Sequence, residues 1–583
     1  MERNRAISVL PGILRGVGRL SGQQRPEGVA KLVLVMILAI VLLLPTIARA
    51  QGAQAGVNDL GSAPVIDRDR TDRVAPRLEQ GPATPAASAP SPQVAPASPS
   101  AASVQLTRVR YEGSSLRQSV LDEAVAPFIG HPLTNATLQG VANAVTAAYG
   151  RSDIAFYAVS IPAQAPVGGQ IKVRVVEGRI KNYTLSGISP SAPVKLIGAH
   201  MRRLMREAPL RKPTLERTLS LLRDIPGQTV NVAVRQMPTA GDLILDVIIK
   251  RKQIDIGLTI DNSGVSNVVE GVQAQLSVAA HGLIREGDST RVSAYLPFYP
   301  DRYTYYSLSH STPLGSNGLN LSANFAQVNT KSRGTQIKGE ASLAGVSLTY
   351  PIIRSYKKNL SASLSLDGIN STNYYLDTEF GDYRSRAVRA GLSWSDVGPK
   401  NGYAASAVVS QGINAIGAKA FTGFSEIKFS KVNIQTIVVK TLLNNLTAKV
   451  TVKGQYSKDK LPVTERFSLG GRGAGMAYRI GTITSDQALA SSLELSWSLP
   501  AKSPVLKATS LFAYVDGAVA HAVARPYYGI AAQDYSLASA GGGVRVGVGE
   551  GWRASAEIAL PVKRPNDAYS RKARFFFGLG RAF

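Results

Sequence analysis

The sequence has no cysteine among its 583 residues, which excludes disulfides, thiolate nucleophiles and thiolate metal sites. Its 5 histidines have no spacing suited to zinc or iron, so neither a metal nor another cofactor is expected. There is no phosphate loop, no nucleophile with a positioned base and no pair of carboxylates in a pocket pattern, and enzymatic activity is not expected. Acid is also scarce, with 39 Asp and Glu against 66 Lys and Arg and a net charge of +27. Such a balance suits a chain that neutralises phosphates. Here the cations are dispersed rather than gathered into an arm or a recognition helix, and no nucleic-acid-binding motif accompanies them. Nucleic acid is therefore not an expected partner.

Long apolar runs are almost absent as well. The exception, Leu32 to Ile47, follows Arg3, Arg5, Arg15, Arg19, Arg25 and Lys31. It is short for a helical span, which needs about 20 residues. It closes on Pro45 and then Ala48-Arg49-Ala50, the small-x-small pattern that signal peptidase reads. Residues 1–50 are thus expected to be a signal peptide cleaved before Gln51. From 51 to 103 the chain is rich in Ala, Pro and Ser and reads as a linker, since it cannot bury enough apolar surface to fold alone. Within it, the more charged stretch from Asn58 to Gln80 is a candidate for a short helix.

Two compact units follow, spanning 104–179 and 180–253. In the first, Thr107 to Tyr111 reads as a strand, Ser119 to Phe128 and Thr137 to Tyr149 as helices, and Ile154 to Pro162 and Gln170 to Glu177 as strands. The second repeats the plan with a strand at Tyr183 to Leu185, helices at Lys195 to Arg206 and Thr214 to Arg223, and a closing hairpin of Thr229 to Arg235 and Leu243 to Ile249. Strand-helix-helix-strand-strand order in about 75 residues is an α+β module.

From residue 254 to the end the apolar residues alternate over segments of roughly ten, divided by Gly, Asn, Asp and Ser. Leu360, Ala362, Leu364 and Leu366 interleave with Ser361, Ser363 and Ser365; Leu446, Ala448, Val450 and Val452 interleave with Thr447, Lys449, Thr451 and Lys453. Strands that bury every second residue in lipid leave the average modest, in keeping with a mean hydropathy of +0.00. The fold expected is α+β plus an all-β membrane domain: two periplasmic modules and then an antiparallel transmembrane β-barrel of about 16 strands. Lysines and arginines lining a polar lumen and membrane-adjacent loops then account for the basic charge. Phe575, Phe577, Leu579 and Phe583 share one face of the last strand, interrupted by Arg581, and suit an outer-membrane sorting signal. Outer-membrane lipid is an expected partner, and so is the barrel-assembly machinery during biogenesis.

The two modules resemble polypeptide-transport-associated (POTRA) domains. Tyr111-Glu112-Gly113, Pro132-Leu133-Thr134, Ala148-Tyr149-Gly150 and Gly169 to Gly178 carry the likeness in the first, and Leu221 to Asp224, Pro226-Gly227 and Gly241 with its following strand in the second. In the barrel the series continues through Asp261-Asn262, Gly287-Asp288, Pro313-Leu314, Tyr350 to Ser355, Gly454-Gln455 and Glu465 to Gly471. Together these resemble the outer-membrane translocators of two-partner secretion, the haemolysin secretion/activation family. The resemblance implies passive export of a large unfolded partner protein, an adhesin or a cytolysin, received by the periplasmic modules. A solute channel and a barrel-assembly factor are the rival readings; the first needs no such domain pair and the second usually has a longer array.

The family also implies a long loop folded into the lumen, whose tip arginine pairs with a wall aspartate. Here the tip reads Gly475-Met476-Ala477-Tyr478 and the arginine is missing. Asp516, followed by Gly517, stands where the acid is expected, on a face shared with Phe512 and Tyr514. A buried carboxylate lacking a cation loses a charge-assisted bond. Arg472 or Arg479, flanking the tip, is therefore expected to supply it.

Overall fold

The structure is a computed structural model that describes residues 78, 91–97, 103–165, 167–189, 192–264, 271–298, 302–332, 336–500, 506–549 and 551–583. The expected signal peptide, and all of the candidate helix at 58–80 except Leu78, lie outside the described residues.

The first module is a four-stranded sheet in the order β1-β3-β4-β2, made of β1 (Gln93–Val94), β2 (Arg108–Glu112), β3 (Tyr157–Ile161) and β4 (Gln170–Glu177). Helix α1 (Gln118–Val125) and helix α2 (Asn135–Arg151) cover one face. Thr134 caps α2 by accepting the Thr137 N–H at 3.2 Å. Leu138, Val141, Ala142, Val145, Ala148 and Tyr149 form its buried stripe. They meet Ile171, Val173 and Val175, the alternate residues of β4. The Tyr149 hydroxyl, in an otherwise apolar core, donates to Glu177 at 2.6 Å.

The second module has three strands in the order β5-β7-β6, from β5 (Arg179–Ser186), β6 (Gln228–Gln236) and β7 (Asp242–Arg251), beneath helix α3 (Lys195–Met205) and helix α4 (Lys212–Arg223). It joins the first with almost no slack. Phe156 is buried in the second module's core. A Cβ on Gly178 would stand 2.6 Å from the Phe156 Cβ, so only glycine fits the joint.

The remaining chain closes into a barrel of 16 strands, running from β8 (Ile254–Asp261) to β25 (Arg574–Ala582). Gly578 to Ala582 pair back with Asp261 to Gly257 to complete the ring. Alternation assigns the faces as the sequence implied. Phe325, Leu364 and Leu392 are about half exposed on the outside, while Asp367, Arg389 and Lys431 are buried inside. The three longest described strands go well past the expected ten residues: β13 (Ile337–Arg354) and β14 (Lys358–Tyr375) have 18, and β15 (Thr378–Val397) has 20. Beyond Leu366 the outward positions of β14 turn polar at Asn370 and Thr372, so these hairpins project past the hydrocarbon. On the last strand Phe575, Phe577 and Leu579 face out, as does Phe583 just beyond it. Arg581 is accommodated by lying over the rings of Trp552 at 5.3 Å and Phe583 at 4.2 Å.

Three turns of one barrel rim grip the second module. Glu286 accepts the Leu196 N–H at 2.7 Å and the Ile197 N–H at 3.3 Å, a carboxylate at the unsatisfied start of α3. Arg217 donates to the Asn317 carbonyl at 3.0 Å and the Ile352 carbonyl at 3.1 Å, and Arg354 Nε donates to Asp224 at 2.7 Å.

Candidate functional site: the luminal loop

Between β18 (Leu446–Tyr456) and β21 (Gln487–Leu499) the chain does not simply turn; residues 457–486 fold back into the lumen. They build a short hairpin of β19 (Phe467–Leu469) with β20 (Ile483–Ser485). A loop in that position must satisfy its own charges, because water is displaced by the barrel wall on one side and the loop on the other.

At its root Glu465 is fully buried and takes two cations: Lys431 Nζ at 2.8 Å and Arg389 Nη2 at 3.0 Å. Arg389 is shared with Asp367, which accepts Nε at 2.6 Å and Nη2 at 2.7 Å. Among the described residues, two acids and two bases from β14, β15, β17 (Ser430–Leu443) and the loop thus meet in one buried cluster. A second anchor lies beside it. Asp486 accepts Arg525 Nη2 at 3.0 Å, the Leu461 N–H at 3.0 Å and the Val523 N–H at 2.9 Å, and Arg466 Nε stands 3.7 Å away. The guanidinium groups of Arg466 and Arg525 each lie 5.0 Å from the Phe424 ring. The ring face adds cation–π attraction to both guanidinium groups.

The tip is built on glycine. Gly470, Gly471, Gly473 and Gly475 all have positive φ, between +73° and +105°, conformations that side chains resist. This winding aims main-chain donors at the wall. On β22 (Leu506–Ala522), Asp516 accepts the Gly475 N–H at 3.1 Å and the Met476 N–H at 3.0 Å, and also the Ser539 hydroxyl. Among the described residues neither Arg472 nor Arg479 reaches Asp516. The expected compensating arginine is thus replaced by a nest of backbone dipoles, which neutralise a carboxylate without a cation. Arg472 goes elsewhere, to Glu557 at 2.8 Å, with Glu494 at 4.0 Å; Arg545 holds Glu494 at 2.6 Å. The Arg479 carbonyl accepts the Thr482 hydroxyl at 2.6 Å.

Met476, Ala477 and Tyr478 are buried against Phe512, Tyr514, Leu537 and Phe576. The Tyr478 hydroxyl donates to the Lys563 carbonyl at 2.9 Å. Sequence reasoning named the tip residues and Asp516 but gave Asp367, Arg389 and Lys431 at the root no role. Their signal was present, since each is a charge at an inward position of an otherwise apolar-out strand.

The architecture defines a class: an outer-membrane barrel with periplasmic domains at one rim and a loop folded into its lumen. The profile described as haemolysin secretion/activation protein ShlB/FhaC/HecB matches residues 242–546, and the ShlB-type POTRA profile matches residues 104–178. The chain belongs to this haemolysin secretion/activation family. Curated protein sequences give no match. Among solved structures, CdiB from Escherichia coli aligns with a TM-score of 0.68 at 18% identity, over 82% of this chain and 90% of that one. CdiB from Acinetobacter baumannii aligns with a TM-score of 0.58 at 14% identity, over 97% and 100%. The fold is common to all three. The protein resides in the outer membrane with its POTRA domains in the periplasm, and it is a non-enzymatic translocator of a partner protein.

Proposed function

We propose that the two periplasmic modules receive an unfolded secreted protein of the adhesin or cytolysin type and pass it through the barrel once residues 457–486 rearrange. The supporting observation is the luminal loop itself, pinned by ion pairs at its root and by main-chain bonds at its tip. Both contacts are exchangeable: a client strand can replace backbone donors and ion partners one for one, without exposing a lone buried charge. Direction comes from folding of the partner outside the cell, since the chain has no nucleotide site. Insertion of the barrel itself into lipid proceeds through the assembly machinery reading Phe575, Phe577, Leu579 and Phe583.

The test is co-expression with a large exported candidate partner, sought first among neighbouring genes, in a host whose own outer membrane lacks a translocator of this kind. Partner protein should reach the surface or medium only when this chain is present. Equal retention in the periplasm with and without it would overturn the reading.

A further inference from the structure

The outer wall of the barrel changes character rung by rung across β13, β14 and β15. On the outward face Val346, Leu366 and Val388 stand side by side, and the next rung towards the periplasmic rim, Leu348 with Leu364 and Ala390, is apolar too. One rung in the other direction the trio is Ala344, Gly368 and Arg386; the next is Ser342, Asn370 and Arg384; then come Glu340, Thr372 and Asp382. Arg354, at the far end of β13, binds the second periplasmic module, so these polar rungs point away from the cell. The first charges met on leaving the hydrocarbon are therefore two arginines, and the acids lie beyond them.

Small residues leave space at that level. Ala344 and Gly368 open a cavity of about 470 Å³ in the wall, bounded by Ala323, Val346, Leu366 and Ile416. Arg386 lies flat across Gly368, where a Cβ would stand 2.7 Å from its Cδ, so glycine is what lets the guanidinium reach over β14. It donates to Asn370 Oδ1 at 2.8 Å, and to the carbonyls of Ser385 at 2.8 Å, Ile416 at 3.0 Å and Ile369 at 3.4 Å. All four acceptors are uncharged. Among the described residues no carboxylate pairs with Arg386, and Asp382 is shared between Arg384 at 3.2 Å and Lys419 at 2.9 Å. Ile416, which borders the cavity, is 66% exposed and has a φ of +52°, a conformation that a β-branched residue keeps only when its surroundings enforce it.

We propose that this groove binds a phosphorylated lipid of the outer leaflet, with an acyl chain over Ala344 and Gly368 against Leu366 and Ile416, and a phosphate at Arg384, Arg386 and Lys419. Depth decides the ligand class. A cation on the lipid face costs about 0–1 kcal/mol near the interface, and it gains a charge-assisted bond of matching geometry where a phosphate lies at its own level. A free phosphate would meet the cations and leave the apolar groove empty. A membrane lipid supplies both parts at the depth where the wall changes from apolar to basic.

The experiment is native mass spectrometry of the full chain in detergent, stripped of lipid. It is titrated with bis-phosphorylated lipid A, with the same lipid lacking phosphate, and with phosphatidylglycerol, an anionic lipid of the other leaflet. The unaltered protein should hold one molecule of bis-phosphorylated lipid A in preference to either alternative by roughly tenfold or more, the effect of one charge-assisted bond. Arg384→Gln with Arg386→Gln should remove that preference, and Arg386→Lys should keep part of it. Ala344→Phe fills the groove, leaves the cations in place and should weaken binding of all three lipids. Heat-modifiable migration shows which variants are folded barrels, and the three-lipid comparison on the unaltered chain needs none of them. Equal binding of the phosphate-free lipid would overturn the role of the cations. Equal binding of phosphatidylglycerol would overturn the outer-leaflet lipid as ligand, and displacement of the lipid by inorganic phosphate would overturn the part played by the groove. Undiminished affinity in the folded double variant would overturn the site itself.

Discussion

The Asp516 carboxylate accepts the backbone N–H of Met476 at 3.0 Å, so the loop tip is joined to the wall through its main chain and its side chain is left to pack. The consequence is an asymmetry between the two residues. Met476→Ala should keep both main-chain bonds and lose only packing against Leu537 and its neighbours. Asp516→Ala strands two donors in the lumen, where each bond to a charged acceptor is worth about 1.5–3 kcal/mol. In planar bilayers Asp516→Ala should raise the frequency of large openings severalfold, with Met476→Ala close to the unaltered protein. Equal behaviour of the two would mean that packing alone holds the tip.

Gly475 gives an independent handle on the same contact. A Cβ there would stand 2.2 Å from Leu537 Cδ1, at a φ of +105°. Gly475→Ala should therefore reproduce the conductance of Asp516→Ala. Leu537→Ala should restore it only in part, because the clash is removed but the backbone strain is not. Full restoration would show that the strain at this φ is negligible.

The root should matter more than the tip. Removing Glu465 takes away the acid that Arg389 and Lys431 share among the described residues, and breaking a buried ion pair from one side costs about 3–5 kcal/mol. Glu465→Ala should lower the temperature at which the folded band is lost in heat-modifiability gels. Glu465→Ala with Lys431→Ala leaves Arg389 with Asp367 and should recover much of that loss. A double variant as unstable as the two losses added would remove charge balance as the explanation.

What the sequence made legible, and what it hid, follows from how each feature is encoded. Helix α2 and strand β4 are written in local periods, 3.6 and 2, and their observed bounds differ from the sequence reading by two residues or fewer. The luminal tip was legible as a glycine run at a family position. The partner of Asp516 was not, because a backbone N–H leaves no mark on residue identity, and a search among side chains led to Arg472 or Arg479. The Asp367, Arg389, Lys431 and Glu465 cluster was hidden for a different reason: its members lie on three strands and a loop, and only the closed barrel brings them together. Strand β1 escaped notice since two residues between prolines carry no period.

His200 makes the second periplasmic module sensitive to acid. It is buried on α3, and burial first and the Arg203 charge second bring its pKa down to about 4. The folded state thus resists a proton that the unfolded state accepts near the ordinary histidine value of 6.5. Above pH 6.5 the residue has no effect on stability; as pH falls from there towards 4, stability is lost, up to about 3 kcal/mol at roughly 1.4 kcal/mol per pH unit. Protection of α3 amides in the intact protein, taken relative to the intrinsic exchange rate at each pH, should fall between pH 7 and pH 5. His200→Leu should flatten that dependence, and an unchanged dependence would assign it to other groups.

Among the described residues, the lumen beside the loop carries more base than acid. Lys449 is opposite Glu494 across the β18–β21 ladder, and Lys453 Nζ lies 3.9 Å from the Cβ position of Gly473 on the loop. With Arg472 and Arg545 they make four cations around the two acids Glu494 and Glu557. Charge lining a pore sets its ion preference, so the resting conductance should favour anions. Lys449→Glu with Lys453→Glu turns four cations and two acids into two cations and four acids. Both positions face inward, so the barrel should still insert; on the lipid face, charges near the midplane cost about 2–4 kcal/mol each and assembly would suffer. The measurement is the reversal potential across a salt gradient, whose sign should invert in the double variant. An unchanged sign would place the ion path away from Lys449 and Lys453, on the opposite side of the loop.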